Sequence, residues 1–287
     1  MFDFRYHALS LAAVFIALVV GLLLGVAIGD RELVSSARED LRDSLRADVR
    51  NADRERDEAR SRVRELERFA DAAYPILTGG ELRGLRIGLV LLGDDDDAPD
   101  IIREALEPTG ANLSLVAVVR EEIDLEALAE RSRGTRYVAL QRDPSLLDDL
   151  GRRIGVQMVD GGRLVGQLRN ALLQSFSGGF GNLDGVIVLR PSEEPEEEAA
   201  AERLDALQDG IARGLAQTGV KVVGAERRDS DPSHIGWFRD RDLSTVDNLD
   251  EPAGRAALVF VLAGAQGSFG RGDDAQALLP PLGGRPR

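Results

Sequence analysis

No cysteine occurs in the 287 residues, which excludes disulfides, cysteine-ligated iron-sulfur clusters, zinc-thiolate centres and thiol catalysis together. Histidine and methionine are almost missing as well, with His7 and His234 as the 2 histidines and Met1 and Met158 as the 2 methionines. Ligands for soft metals are therefore scarce. Positive charge is in deficit, since 36 Lys and Arg stand against 50 Asp and Glu and leave a formal net charge of -14 with a pI near 4.7. No basic face is offered to a phosphate backbone, so nucleic acid is not an expected partner, and an anionic membrane surface would repel the chain. Lys221 is the sole lysine; the arginine bias, with abundant Ala, Gly and Asp, reads as the mark of a GC-rich genome and points to no site.

What is present begins with an uncharged run from Ala8 to Ile28, ALSLAAVFIALVVGLLLGVAI. As a helix it matches a hydrocarbon core of about 30 Å and crosses a bilayer once. A secretory signal peptide is the competing reading, because Arg5 precedes the run and Ala27-Ile28-Gly29 offers a weak cleavage site. The run exceeds the usual apolar segment of roughly 7 to 15 residues, and helical periodicity continues past the cut, so an uncleaved anchor is expected. Ala13, Ala17, Gly21, Gly25 and Gly29 recur every fourth position. Such a small-residue face lets two helix backbones approach closely, which predicts dimerisation. Arg5 on one side and Arg31, Arg38, Arg42 and Arg46 on the other would put the following segment in the cytoplasm. A long downstream domain translocates largely regardless of charge, so the orientation stays open.

From Asp30 to Ala73 the chain is dense in Arg, Asp and Glu, with no proline before Pro75. Leu45, Val49, Ala52, Arg56, Ala59, Val63, Leu66, Ala70 and Ala73 follow alternating steps of four and three. This is the seam of a left-handed coiled coil, in which Arg56 is the one polar member and a candidate for setting register. Upstream, Gly29, Leu33, Ala37, Leu41, Leu45 and Val49 step by four, the transition from a right-handed glycine crossing to the left-handed coil. If helical throughout, this stalk extends about 65 Å at roughly 1.5 Å per residue. The organisation expected is an anchor at 1–29, a coiled-coil stalk at 30–73, a hinge at 74–84 signalled by Thr78-Gly79-Gly80, an α/β domain at 85–270 and a Pro/Gly-rich tail at 271–287.

Apolar runs at Leu85 to Leu92, Leu113 to Val119, Tyr137 to Leu140, Val186 to Leu189, Val220 to Val223 and Ala256 to Leu262 read as strands buried on both faces, as in parallel sheets. Helical patterns fall between them at Pro99 to Leu106, Leu125 to Arg131, Leu146 to Ile154, Arg163 to Leu173 and Ala199 to Gln217. The alternation predicts a doubly wound, Rossmann-like or flavodoxin-like parallel-sheet domain. In such folds the turn after the first strand carries function, and here it is Gly93-Asp94-Asp95-Asp96-Asp97, with neither a dinucleotide fingerprint nor a Walker sequence. Four carboxylates would repel a pyrophosphate. They lack the spacing of an EF-hand and read as capping acids of the next helix. Ser192 to Glu196 reads the same way, and Ser177-Gly178-Gly179-Phe180-Gly181, which follows a helix, reads as a flexible loop. His234, in a turn-rich stretch, reads as a hydrogen-bonded structural residue. No nucleophile, base and oxyanion donor can be assembled, so no catalytic residue, cofactor site or metal site is expected and the chain does not read as an enzyme.

The opening FDFRYHALSLAAVFIALVVGLLLGVAIGD, the coil after it, and the stretches VDNLDEPAGRAALVFVLAG and GSFGRGDDAQALLPPL resemble the MctB copper transporter family of actinobacterial envelope proteins. The arrangement of Arg5, His7, Ser10 and the glycines is the most specific part. The resemblance implies a role in copper homeostasis, proposed as efflux across the outer envelope, with the α/β domain outside the cytoplasm. It supplies no copper-ligand motif to transfer residue by residue, and one apolar helix without alternating barrel strands makes a poor pore. The chain is also similar to SteB-like partners of cell-separation factors, for which a coiled-coil scaffold recruiting an envelope or cell-division protein suffices. The expected partners are thus a second copy in a parallel homodimer, the membrane, and such an envelope or division protein.

Overall fold

A computed structural model describes residues 4–190, 195 and 197–281, with the side chains of residues 4, 5 and 28–40 excepted. The chain divides into two compact units, Met1–Leu66 and Glu67–Arg287. Helix α1 runs from Phe4 to Thr78. Its segment Tyr6–Ala27 has a mean hydropathy of 2.8, is long and apolar enough to cross a membrane, and has none of its length buried. The helix tolerates Pro75 and ends where Gly80 takes a positive φ of 76°.

The second unit is a mixed α/β domain built on one seven-stranded sheet in the order β3-β2-β1-β4-β5-β6-β7. The strands are β1 (Arg86–Leu91), β2 (Asn112–Val119), β3 (Leu173–Gly178), β4 (Gly185–Leu189), β5 (Lys221–Ala225), β6 (Ser244–Val246) and β7 (Ser268–Phe269). All neighbours pair in parallel except β3, which runs antiparallel to β2 at the edge. The helices are α2 (Ala98–Leu106), α3 (Leu125–Arg131), α4 (Leu146–Asp160), α5 (Arg163–Leu172), α6 (Glu198–Ala216), α7 (Ile235–Arg239) and α8 (Pro252–Leu262). Successive side chains of a strand point to opposite faces. Accordingly Ile87, Leu89 and Leu91 of β1 pack with α2 and α8, whereas Val90 and Leu92 pack with the layer of α3, α4, α5, α6 and Phe238.

Two apolar runs expected as strands are not strands. Ala256 to Leu262 lies within α8, which is buried nearly all round and so shows no polar stripe to reveal its helical period. Tyr137 to Leu140 falls on a 3-10 turn, Arg136–Ala139, whose Tyr137 and Leu140 fill the helical layer. The glycine-rich loop is also corrected, because Ser177 and Gly178 belong to β3. Helix α5 passes into β3 with no intervening loop, so the strand returns antiparallel. The expected all-parallel sheet thus carries one antiparallel edge strand.

Helices α4 and α6 meet backbone to backbone. A Cβ on Gly151 or Gly155 would overlap the carbonyl oxygens of Leu207 or Ile211, and one on Gly210 or Gly214 would overlap those of Asp148 or Arg152. Two four-residue glycine spacings facing each other form this crossing, which is flanked by the Asp148–Arg152 ion pair at 2.8 Å and by Arg213 and Arg241 on Asp209.

Where a hinge is expected at 74–84, the chain is packed against its own domain. Tyr74 is 8% exposed and donates its hydroxyl to the Ala105 carbonyl, while Leu82 is fully buried. The Arg255 guanidinium lies 5.5 Å from the Tyr74 ring centre and pairs with Glu104 at 2.6 Å and Asp71 at 3.6 Å. Burial pushes the Tyr74 hydroxyl up to about 12, against the opposing pull of Arg255.

The glycine crossing yields a paired test. Gly155→Ala forces the two helices apart and should cost about 1–3 kcal/mol as an overpacked substitution. Gly166→Ala in α5, with nothing within 4 Å of its Cβ position, should gain roughly 0.5–1 kcal/mol from helix propensity. Chemical denaturation of the two variants measures both, and equal effects would contradict the crossing.

Candidate functional site

The carboxyl ends of β1 and β4 lie where the strand order reverses, the position at which open α/β sheets receive ligands. A cleft of about 650 Å³ opens there, lined by Asp94, Asp95, Asp96 and Asp97 after β1, Arg190 after β4, and Glu226 and Arg227 after β5.

The acidic loop is largely engaged in building itself. Asp95 Oδ1 accepts the backbone N–H groups of Asp97 at 3.2 Å and Ala98 at 3.1 Å, capping the start of α2. Asp94 offers its N–H to Glu121 Oε1 at 3.1 Å and accepts from Gln174 Nε2 at 2.9 Å. Arg227 reaches Asp97 at 3.4 Å and Asp95 at 3.8 Å. On the other wall Arg190 donates to Gln208 at 2.8 Å and Asp205 at 3.1 Å, and its guanidinium lies 4.8 Å from the Trp237 ring centre. Among the described residues, no three His, Cys, Asp or Glu side chains come together in a way that could hold a metal ion.

Glu226 organises the neighbouring turn. It is buried and accepts the Ser233 hydroxyl at 2.7 Å and the His234 backbone N–H at 2.7 Å. His234 is itself buried at the start of α7. Burial, reinforced by the nearby charge of Asp247, pushes the Glu226 carboxyl above its ordinary value despite those hydrogen bonds. Asp247 in turn accepts the N–H groups of Arg271 at 2.6 Å and Gly272 at 2.8 Å, and Glu251 binds Arg228 at 2.8 Å and Arg271 at 3.0 Å. Carboxylates at the strand ends therefore hold loops. Glu226, Arg227 and Arg190 escape a reading of the sequence; the available signal is that each lies within two residues of a strand's end, and the strand expected over Val220 to Val223 runs on to Ala225.

The other singled-out residues lie on α1. Ala13, Ala17, Gly21 and Gly25 are exposed, with nothing within 4 Å of a Cβ on either glycine, while the side-chain position of Gly29 is outside the described residues. Leu45, Val49, Val63 and Leu66 are each more than half exposed, Ala52, Arg56 and Ala59 are exposed, and Ala70 and Ala73 are half-buried. Arg56 pairs with Asp53 at 3.3 Å and Asp57 at 3.9 Å. Of the acidic stretch Ser192 to Glu196, all but Pro195 lies outside the described residues.

A family model described as "Copper transport outer membrane protein, MctB" matches residues 1–280. Two proteins named Copper transporter MctB, from Mycobacterium bovis and Mycobacterium tuberculosis, are each 25% identical to this chain, over 97% of its length and 99% of theirs.

The buried carboxylate generates a pH test. Because the fold favours protonated Glu226, the wild type gains stability as pH falls through the raised value, and the gain is complete below about 4.3, the unfolded value. Glu226→Gln lacks this increment. The difference in Tm, wild type minus variant, should therefore rise from pH 7 to pH 4; a difference constant with pH would contradict the assignment.

Proposed function

The chain belongs to the MctB family, and on that premise we propose that it is a single-pass envelope protein of copper homeostasis, acting as a parallel homodimer with its α/β domain outside the cytoplasm. The observation that carries this reading is the extent of the family match, which takes in the apolar helix, the charged helix after it and the domain to residue 280. Copper is the cargo of the process, and the chain is read as offering it no tight ligand set. Soft Cu(I) prefers thiolate, thioether and imidazole, and the chain has no Cys; Met158 is fully buried, His234 is buried, and His7 stands exposed near the start of α1.

The finer architecture is part of the proposal. The strand order, running outward from β1 to β3 and then back across to β4, supports a doubly wound, Rossmann-like domain over 85–270 with a tail from 271. Exposed Leu45, Val49, Val63 and Leu66 support a coiled-coil stalk over 30–73. The engagement of Asp95, Glu226 and Asp247 in holding loops supports a non-catalytic domain.

A second reading, a SteB-like scaffold that recruits a cell-division or envelope protein, is favoured by one observation. Among the described side chains of α1, Leu41, Leu45, Val49, Val63, Leu66 and Phe69 are each more than half exposed, a surface suited to assembly with other helices.

Deleting the gene separates the two. Copper homeostasis requires a rise in cell-associated copper and a loss of copper tolerance, restored by the full-length chain, together with no stoichiometric Cu(I) binding by the purified protein. Unchanged copper load with a cell-separation defect would overturn the copper reading in favour of the scaffold.

A further inference from the structure

We propose that the last turns of α1, from Phe69 to Leu77, form an interface with the same turns of a second copy of this chain, leaving each copy's α/β domain on the outer flank. The inference rests on the parallel-dimer reading above and carries it past the stalk into the domain.

The last turns of α1 have two unlike sides. Tyr74 and Thr78 are buried against the domain and Asp71 pairs with Arg255. At 3.6 residues per turn these three share one side of the helix. Phe69, Ala73 and Ile76 fall on the other, with Ala70 and Leu77 at its border; Phe69 is 71%, Ile76 83% and Leu77 43% exposed, and Ala70 and Ala73 are half-buried. Single exposed apolar residues are ordinary on a surface, but a strip recurring at i, i+1, i+4, i+7 and i+8 is the pattern of a helix face that packs against something.

A second copy is the occupant that the pattern describes. The steps of four and three that begin at Leu45 reach Ala70 and Ala73 and, with one further step of four, arrive at Leu77 beyond the proline. Pro75 sits on the far side from the strip, where its ring and missing N–H do not disturb close packing. Charge supports the same register. When two such helices lie parallel and unstaggered, residues five apart on the positions flanking the seam meet across it. This brings Glu55 of one copy to Arg60 of the other and Arg62 to Glu67, both attractive, against one repulsive meeting of Asp48 with Asp53. The attractive pairs are those adjoining the Phe69–Leu77 strip. The next flanking position is Phe69, which the same spacing carries toward Tyr74 of the other copy, at the rim of that copy's domain.

A chain without cysteine makes the test direct. In full-length protein in mild detergent, Ala59→Cys reports on the stalk seam and Leu77→Cys, beyond the stalk, on the proposed interface. Ser61→Cys and Ala72→Cys are controls directed away from the seam. Disulfides need Cβ atoms within about 4.5 Å, so under diamide both seam variants should cross-link at least about tenfold faster than their controls. Cross-linking at Ala59→Cys with Leu77→Cys no faster than Ala72→Cys overturns the inference, keeps the stalk dimer and leaves the strip to a different protein. Cross-linking at neither removes the dimer reading and this inference with it, and cross-linking at Leu77→Cys alone upholds the interface while removing the stalk pairing. Ala73→Cys, at the boundary of stalk and strip, replaces Leu77→Cys if the latter lowers Tm.

Discussion

Contact between the backbones of α4 and α6 sets the helical layer on which one face of the sheet rests. Glycines at 151, 155, 210 and 214 remove the side chains that would hold the two helices apart. With the axes drawn together, Leu150, Ile154 and Met158 from one helix and Leu207, Ile211 and Leu215 from the other close over Val186, Val188 and Val222. Parallel strands are buried on both faces, so a layer that stood off would leave apolar strand residues in contact with water. The ionic cluster of Asp148, Arg152, Asp209, Arg213 and Arg241 borders the same crossing, where pairing compensates for charges drawn close to the protein interior.

The same economy of contact governs the strand ends. In a fold whose ligand position is the crevice beyond the strands, acids would ordinarily be read as chemistry. Here Asp95 caps α2, Glu226 ties down the turn before α7, and Asp247 holds the segment after β7. A carboxylate that accepts backbone N–H groups satisfies donors that a sharp loop cannot pair within itself. The cleft is consequently walled by groups that serve the loops, in keeping with membership of a family described by transport and not by catalysis.

At the other end of the domain, Tyr74 and Leu82 bind the end of α1 and the turn that follows it to α2 and the turn after α2, while the Thr78 hydroxyl donates back to the Tyr74 carbonyl within α1. Glycines at 79, 80 and 84 suggest a joint when read as letters. In three dimensions the N–H of Gly80 meets the Pro108 carbonyl at 3.1 Å and that of Leu82 meets the Thr109 carbonyl at 3.2 Å, so the glycines permit a tight turn. The apolar strip on the opposite side of α1 is left facing outward by this attachment.

How much was legible follows from the range of each signal. The apolar segment and strands β1, β2, β4 and β5 each announce themselves within a few turns or a few residues, because hydrophobic periodicity is a property of neighbouring positions. Helix α8 and the turn at Tyr137 defeated that reading, since burial on every side erases the period that distinguishes helix from strand. β6 and β7 are three and two residues long and carry Ser and Thr, too short and polar to register. The sequence by itself thus determined the apolar N-terminal helix, the mixed α/β class of the domain and the scarcity of soft-metal ligands. Only the tertiary structure decided the strand order, the antiparallel edge, the meeting of Gly151 and Gly155 with Gly210 and Gly214, and the engagement of Glu226, because each joins residues distant along the chain whose pairing depends on how the layers stack.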